Sequence, residues 1–428
     1  MTGHIATGDA FDQAFRTVPR TGVIFVMAEA RDRGFDYGNK NWANLGQGAP
    51  EVGVLPDAPA RLQQLDLDPS MFEYGPVGGL LELREAVAEL YNERYRRGMG
   101  SRYTAQNVAI SGGGRAGLTR VAASLGPIHL GHFLPDYTAY EELLETFRGF
   151  VPIPILLDSE NGFQLCIEDL SREILGKGLS ALLLSNPCNP TGQVVYGSAL
   201  DQLVGVCRQL NCALLVDEFY SHYVYPDQHT VVEEPLVVSA ARHVEDVDRD
   251  PVVIVDGLTK NWRYPGLRLS WTLAPRKIIE RITSAGSFLD GGPSHPVQRA
   301  ALPLIDRGLA DREARVIQSL FRSKRDLVLD RLAEMGVQVP VAPEGAFYVF
   351  ADLSGLPGSL SDGMEFFRAA LDRQVIVVPG EFFDVNPGQR RRSSASLLKG
   401  FVRLSYGPEL QTLERGLDRL SALIAGHR

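Results

Sequence analysis

Pro251-Val-Val-Ile-Val-Asp-Gly-Leu-Thr-Lys260-Asn-Trp-Arg-Tyr-Pro-Gly-Leu-Arg-Leu-Ser-Trp271 is the stretch that decides the fold. Val252 to Val255 is an unbroken apolar run, the pattern of a parallel strand buried on both faces. Lys260 follows just past its end, and Pro265-Gly266 then turns the chain. A lysine at the end of a buried strand is placed in a site rather than in solvent. There its amine can be desolvated, lowered in pKa and made into a Schiff-base nucleophile.

Outward from this stretch, short apolar segments alternate with amphipathic ones. Strands are expected at Asn107–Ser111, Ile128–Leu134, Val151–Leu157, Ala181–Ser185, Ala213–Asp217, Val252–Asp256 and Leu269–Leu273. Helical patterns lie between them, among them Leu80–Arg96, Gly117–Ser124, Ala199–Gln209 and Val297–Ile305. The alternation predicts an α/β fold, a sheet covered by helices on both faces. After Gly308 the pattern changes. A charged helix at Asp311–Met335 precedes Val337–Val341, Ala346–Leu353, a helix at Met364–Asp372 and a strand at Val375–Val378. That predicts a smaller α+β domain. The expected division is residues 1–52 as an arm and part of the small domain, 53–308 as the large domain and 309–428 as the C-terminal small domain. No internal repeat is present. Gln389-Arg-Arg-Arg-Ser-Ser-Ala-Ser396 reads as a basic surface loop.

Composition narrows the function. Lys and Arg number 43 against 52 Asp and Glu, a formal charge of −9. A mildly acidic chain is not expected to bind nucleic acid non-specifically. No apolar run is long enough to span a bilayer. Met1–Ala10 lacks a basic region followed by an apolar one, so no signal peptide is expected. Cys166, Cys188, Cys207 and Cys212 show neither CxxC spacing nor paired histidines. They are expected to be reduced thiols of a cytoplasmic protein, with no metal site.

Four further features carry chemistry. Ser111-Gly-Gly-Gly-Arg-Ala-Gly117 follows a strand and opens a helix, where glycines permit close backbone approach and a helix N-terminus attracts an anion. It matches neither the dinucleotide nor the P-loop pattern. Asn186-Pro-Cys-Asn-Pro-Thr-Gly192 makes a rigid loop after a strand, whose amide side chains can be aimed at a ligand. Asp217, in Val216-Asp-Glu-Phe-Tyr220, ends a strand where α/β sheets place ligands. Arg403, flanked by Phe401, Val402 and Leu404, reads as a partly buried guanidinium that wants a bidentate anion. Each alone also reads as ordinary structure: a turn, a rigid loop, a buried ion-pair partner, a surface arginine.

Taken together and in this order, from Asn44 to Tyr406, these features resemble the class I and II aminotransferases, pyridoxal-phosphate enzymes of the aspartate aminotransferase fold. The resemblance implies a seven-stranded, mostly parallel sheet and roles residue by residue. Lys260 would hold pyridoxal 5'-phosphate as a Schiff base, and Asp217 would pair with its ring nitrogen. Tyr220 and Asn189 would hydrogen-bond the ring oxygen, and Tyr137 would stack on the ring. Gly113, Gly114, Arg115, Thr259 and Arg268 would hold the phosphate. Tyr74, in Tyr74-Gly-Pro-Val-Gly-Gly79, resembles a tyrosine that reaches the neighbouring subunit's phosphate, which implies a homodimer with shared sites. Arg403 would bind the substrate α-carboxylate, with Asn189 and Gly48 lining the same pocket.

There are departures. The family often reads Ser-x-Ser-Lys before its lysine; here Gly257-Leu-Thr-Lys260 keeps one hydroxyl and loses the other. Arg115 is positioned to replace the missing contact. Arg16 to Trp42 is rich in charged and aromatic residues that could shape a specialised pocket. The implied reaction is transfer of an α-amino group from an amino acid to a 2-oxo acid. The alternative keeps the site and changes the outcome: elimination, β- or γ-replacement, cyclisation or carbon–carbon bond formation on an amino acid or S-adenosylmethionine. A non-catalytic ligand sensor is a third reading, and the intact Lys260 argues against it.

Overall fold

A computed structural model describes residues 18, 20, 22–147, 149–225 and 236–427. Met1–Ala10, and Arg16 at the head of the charged aromatic stretch, lie outside them. In chain order the first elements are α1 (Gly22–Asp32), β1 (Ala43–Asn44), α2 (Leu81–Tyr95), β2 (Val108–Ser111), α3 (Gly114–Ala123), β3 (His129–Leu134), α4 (Ala139–Thr146) and β4 (Val151–Leu156). There follow α5 (Ile167–Lys177), β5 (Leu179–Ser185), α6 (Gly197–Gln209), β6 (Ala213–Asp217), β7 (Val252–Gly257), β8 (Ser270–Leu273), α7 (Arg276–Leu289) and α8 (His295–Ala301). The last are α9 (Arg307–Glu334), β9 (Tyr348–Asp352), α10 (Gly363–Leu371), β10 (Val375–Ile376), β11 (Val378–Pro379), β12 (Phe401–Ser405) and α11 (Leu410–Ala425).

The central sheet has seven strands in the order β2-β8-β7-β6-β5-β3-β4. Only β8 runs antiparallel to its neighbours β2 and β7. The apolar run predicted at Val252 is β7, buried along its whole length. Ser185 lies opposite Asp217, and Asp217 opposite Val255, so β5, β6 and β7 end at one edge. The loops that follow β3, β5, β6 and β7 therefore converge there, the edge at which open α/β sheets bind ligands. Helices cover both faces. Leu83 and Val87 of α2, Leu170 of α5 and Leu203 of α6 pack into one core. Leu118 of α3, Leu144 of α4 and Ile282 of α7 pack into the other, which continues into the C-terminal strands.

Those strands form a separate antiparallel sheet, β11-β12-β9, while β1 pairs in parallel with β10. The β1–β10 pairing draws Gly46–Ala49 over the edge of the large sheet. Buried ion pairs fix α9 against the rest: Arg94–Asp311 at 2.6 Å, Arg263–Glu313 at 2.6 Å and Lys324–Glu51 at 2.5 Å. Its N-terminus is capped by Asp306, whose carboxylate accepts from the Leu309 amide at 2.9 Å.

Three expectations are corrected. Val337–Val341 is not a strand; Gln338 alone bridges to Asp352, because Pro340 has no N–H to extend the ladder. Val375–Val378 is two short strands in different sheets, β10 beside β1 and β11 beside β12. The helix expected from Gly117 begins at Gly114, inside the glycine run.

Candidate active site

A cavity of about 380 Å³ opens at the converging strand ends. Lys260, Asp217, Tyr220, Asn189, Tyr137, Thr259, Arg115, Arg268, Arg403, Gly48 and Gly114 all line it. Gly113 adjoins it: a Cβ there would fall 2.4 Å from Arg268 Nη2. Tyr74 does not line it, being fully exposed on the surface of the chain.

Lys260 stands on the turn that leaves β7. Asn261 locks this turn. Its side-chain amide donates to Asp256 Oδ1 (2.8 Å), Ser221 Oγ (2.9 Å) and the Glu218 carbonyl (3.1 Å). The Lys260 Nζ donates to the Gly48 carbonyl. Its partial exposure is to the cavity, where protein surrounds it. Burial, then the guanidinium groups of Arg403, Arg268 and Arg115, lower its pKa to about 7, against the opposing pull of Asp217. The amine is thus substantially neutral, and nucleophilic, near neutral pH.

Asp217 ends β6. Its Oδ2 accepts from Tyr140 Oη at 2.9 Å and its Oδ1 from the Phe219 amide at 3.3 Å. Burial raises its pKa to about 6. The same cause lifts Glu218 and Asp256 to about 8 and Asp136 well above the usual carboxylate range. Near neutral pH Glu218 and Asp256 are largely protonated, and Asp217 is the anion of the site.

The cations outnumber it. Arg403, on β12, is wholly buried with no carboxylate partner among the described residues. Its Nη1 donates to Asn189 Oδ1 (2.7 Å), its Nη2 to the Gly46 carbonyl (2.5 Å), and its Nε has no partner. The guanidinium lies over the rings of Tyr348 (4.3 Å) and Phe383 (4.9 Å). Arg268 lies against the glycine turn, and Arg115 Nη2 donates to Tyr137 Oη at 3.1 Å. The turn itself is the N-terminus of α3, whose first amides are free for an anion. The buried hydroxyl of Thr259 also has no partner.

These residues fit pyridoxal phosphate. An unpartnered hydroxyl, a glycine turn and two guanidinium groups suit a phosphate; a buried carboxylate suits a protonated ring nitrogen; a neutral lysine suits an aldehyde. One more cation, Arg403, remains for a carboxylate.

Sequence reasoning missed Tyr348, Tyr140, Phe219, Gln47 and Val23. Four of them line the cavity, and Tyr140 holds Asp217 from behind. A signal for Tyr348 did exist in Gly345-Ala346-Phe347-Tyr348. A Cβ at Gly345 would lie 2.6–2.9 Å from Val194, the Tyr223 carbonyl and Pro187, so this strand start packs tightly on the large sheet's loops.

Comparison with known proteins bears on the family and the fold. The family described as aminotransferase class I and II matches residues 40–420. An aspartate aminotransferase of Thermotoga maritima is 29% identical over 350 residues, covering 81% of this chain and 82% of the relative. A probable N-acetyl-LL-diaminopimelate aminotransferase of Bacillus subtilis is 28% identical over 373 residues, covering 85% and 84%. The solved Thermus thermophilus aspartate aminotransferase with maleate superposes with a TM-score of 0.73 at 25% identity, over 96% of this chain and 98% of that one. An aminotransferase from Mycobacterium tuberculosis, 24% identical over 96% and 97%, shares the fold with a TM-score of 0.77.

Proposed function

The chain belongs to the class I and II aminotransferase family, whose members use pyridoxal phosphate, and we propose that the cavity residues divide the work of amino transfer as follows. The observation that carries the proposal is the near-neutral Lys260 amine, set between the Asp217 carboxylate and the unpaired Arg403 guanidinium. When bound, pyridoxal phosphate supplies an aldehyde that captures amines and a ring that withdraws electrons. Lys260 anchors it and, once displaced by a substrate amine, takes the α-proton and returns it as general base and acid. Asp217 holds the ring nitrogen protonated. Tyr220 and Asn189 donate to the ring oxygen, and Tyr137 packs on the ring face. Gly113, Gly114, Arg115, Thr259 and Arg268 hold the phosphate through the α3 N-terminus, a hydroxyl and two guanidinium groups. Arg403 takes the α-carboxylate of the amino acid and then of the 2-oxo acid, with Asn189 and Gly48 beside it.

The same proposal makes the enzyme a homodimer in which Tyr74 reaches the partner's phosphate. The high exposure of Phe72 (74%), Tyr74 (100%) and Val54 (78%) supports it: these are large apolar side chains with little cover in the single chain. It keeps the division 1–52, 53–308 and 309–428, and a cytoplasmic location. No helix among the described residues is long and apolar enough to cross a membrane.

The test is a single-turnover experiment. One amino acid, without acceptor, should convert the bound cofactor's absorbance once, stoichiometrically, and stop. A 2-oxo acid should restore it. Continuous product formation from an amino acid with no acceptor acid would replace transfer by elimination, replacement or cyclisation chemistry at the same site.

A further inference from the structure

Tyr348 belongs to the C-terminal sheet, yet its side chain enters the cavity and is fully buried there. Three contacts define it. Its hydroxyl lies 2.7 Å from the Tyr220 hydroxyl. Its ring carries the Arg403 guanidinium at 4.3 Å. A Cβ on Gly48 would fall 2.5 Å from its hydroxyl, so the glycine leaves the space that the phenol fills. Among the described residues, Tyr348 is the one side chain that touches both Tyr220 and Arg403 in these ways.

We infer that Tyr348 is a positioning residue with two separable tasks: its ring seats Arg403 for the carboxylate, and its hydroxyl directs the proton of Tyr220 toward the cofactor's ring oxygen. The inference rests on the roles proposed above for Arg403 and Tyr220.

The second task follows from proton counting. Each phenol has one proton, and two phenols in contact place only one of them between the oxygens. If Tyr220 donates to an anionic ring oxygen, its own oxygen is free to accept, and Tyr348 is the donor within reach. A donor whose oxygen also accepts is polarised and donates more strongly. Burial raises the pKa of Tyr348 to about 12 and that of Tyr220 well above the ordinary value, so both stay protonated and can serve as donors across the working range. The first task follows from the ring face. Arg403 gives one N–H of each Nη group to Asn189 and Gly46, which leaves three of its five for a ligand, and an aromatic face holds the plane of the guanidinium in which they lie.

The tasks separate in two substitutions on the holoenzyme. Tyr348→Phe keeps the ring and removes the hydroxyl; Tyr348→Leu removes both. Two readouts are needed. One is the pH midpoint of the bound cofactor's absorbance, which rises when donation to the ring oxygen weakens, because that donation opposes protonation nearby. The other is the dissociation constant of propionate, a carboxylate without an amine. Tyr348→Phe should raise the midpoint by roughly half a unit and leave propionate binding within about twofold. Tyr348→Leu should raise the midpoint similarly and weaken propionate roughly 3- to 30-fold. Tyr220→Phe should move the midpoint further in the same direction, and adding Tyr348→Phe to it should move it no more. Full additivity of the two shifts, or an unchanged midpoint in Tyr348→Phe or in Tyr220→Phe, overturns the hydroxyl task. Equal propionate binding in the Phe and Leu variants overturns the ring task. A wild-type protein with no cofactor absorbance to titrate would instead overturn the proposed function itself.

Discussion

The Lys260 amine should titrate near neutrality in the cofactor-free protein, and the charges around it should move the midpoint with opposite signs. Its pKa of about 7, against 10.5 for an ordinary lysine, makes about half of the amine neutral at pH 7. A solvent-exposed lysine would be neutral in only about one molecule in 3000. Burial is the largest cause and survives any single substitution, so no one change should restore an ordinary lysine. Arg403 is the second cause. Arg403→Gln removes a like charge and should raise the midpoint by roughly half a unit or more. Asp217→Asn removes the attractive charge and should lower it. The assay is trace acetylation by acetic anhydride, whose rate follows the neutral amine alone, read site by site by mass spectrometry from pH 5 to 10. The informative quantity is the midpoint of the rate, because absolute rates also depend on access. A rate at Lys260 that climbs steadily through pH 9 would refute the desolvation argument. Arg403→Gln and Asp217→Asn shifting the midpoint in the same direction would refute the electrostatic one.

Other outcomes follow from the same site. Lys260→Ala should fold and yet lose the borohydride-trappable lysine adduct of pyridoxal phosphate; a surviving adduct, located by peptide mapping, would place the anchor elsewhere. Asp217→Asn should retain cofactor by absorbance but lose about 100-fold or more in turnover, since a neutral amide does not stabilise a protonated ring nitrogen. Mixing Tyr74→Ala and Arg268→Ala subunits should restore one sound phosphate site per hybrid dimer; hybrids no better than either parent in cofactor retention, or an active monomer by sedimentation, would remove the shared site. Gly257→Ser should destabilise by about 1–3 kcal/mol through overpacking, because a Cβ there falls 2.6 Å from the Leu269 carbonyl and from Ser270 Cα; an unchanged melting curve would show that β7 and β8 can part.

The large sheet was legible because buried parallel strands are unbroken apolar runs, and the site was legible because the chemistry sits at their ends. Val252–Gly257 and Ala213–Asp217 are cases where composition alone marks both strand and terminus. The small strands were legible only in part. Ala346–Leu353 and Val375–Val378 marked β9 and the β10–β11 run, but Ala43–Asn44 is two residues long, too short for any periodicity, and exists only because Val375–Ile376 supplies its hydrogen bonds. The same limit explains the missed residues. Nothing local to Val23 says that it will line the cavity, and nothing local to Tyr140 says that its hydroxyl will meet Asp217. Both facts belong to the packing of α1 and α4 against the sheet edge. Lys260, Asp217 and Arg403 carried their own signal, because a charge beside buried apolar residues demands a partner wherever it is seen.

The glycine at 257 joins these observations. The family often places a hydroxyl there, and in this chain the backbone of β8 fills the space that a side chain would need. Gly114 is closed in the same way, since a Cβ would fall 2.5 Å from the Phe219 ring. Two edges of the phosphate cup therefore cannot carry hydroxyl groups without moving a strand or a ring. What remains is the α3 N-terminus, the Thr259 hydroxyl, Arg268 and Arg115. Such a cup holds its ligand more by charge than by neutral hydrogen bonds. The surrounding acids are consistent with that: burial keeps Glu218 and Asp256 largely protonated near neutral pH and pushes the Asp136 carboxyl up, so they do little to cancel the arginines. Asp217 alone among these acids opposes three guanidinium groups, Arg115, Arg268 and Arg403, and a Lys260 amine that is only partly charged. A phosphate and a carboxylate are the charges that the excess calls for, which supports the proposed sharing of this cavity between a phosphorylated cofactor and an amino acid.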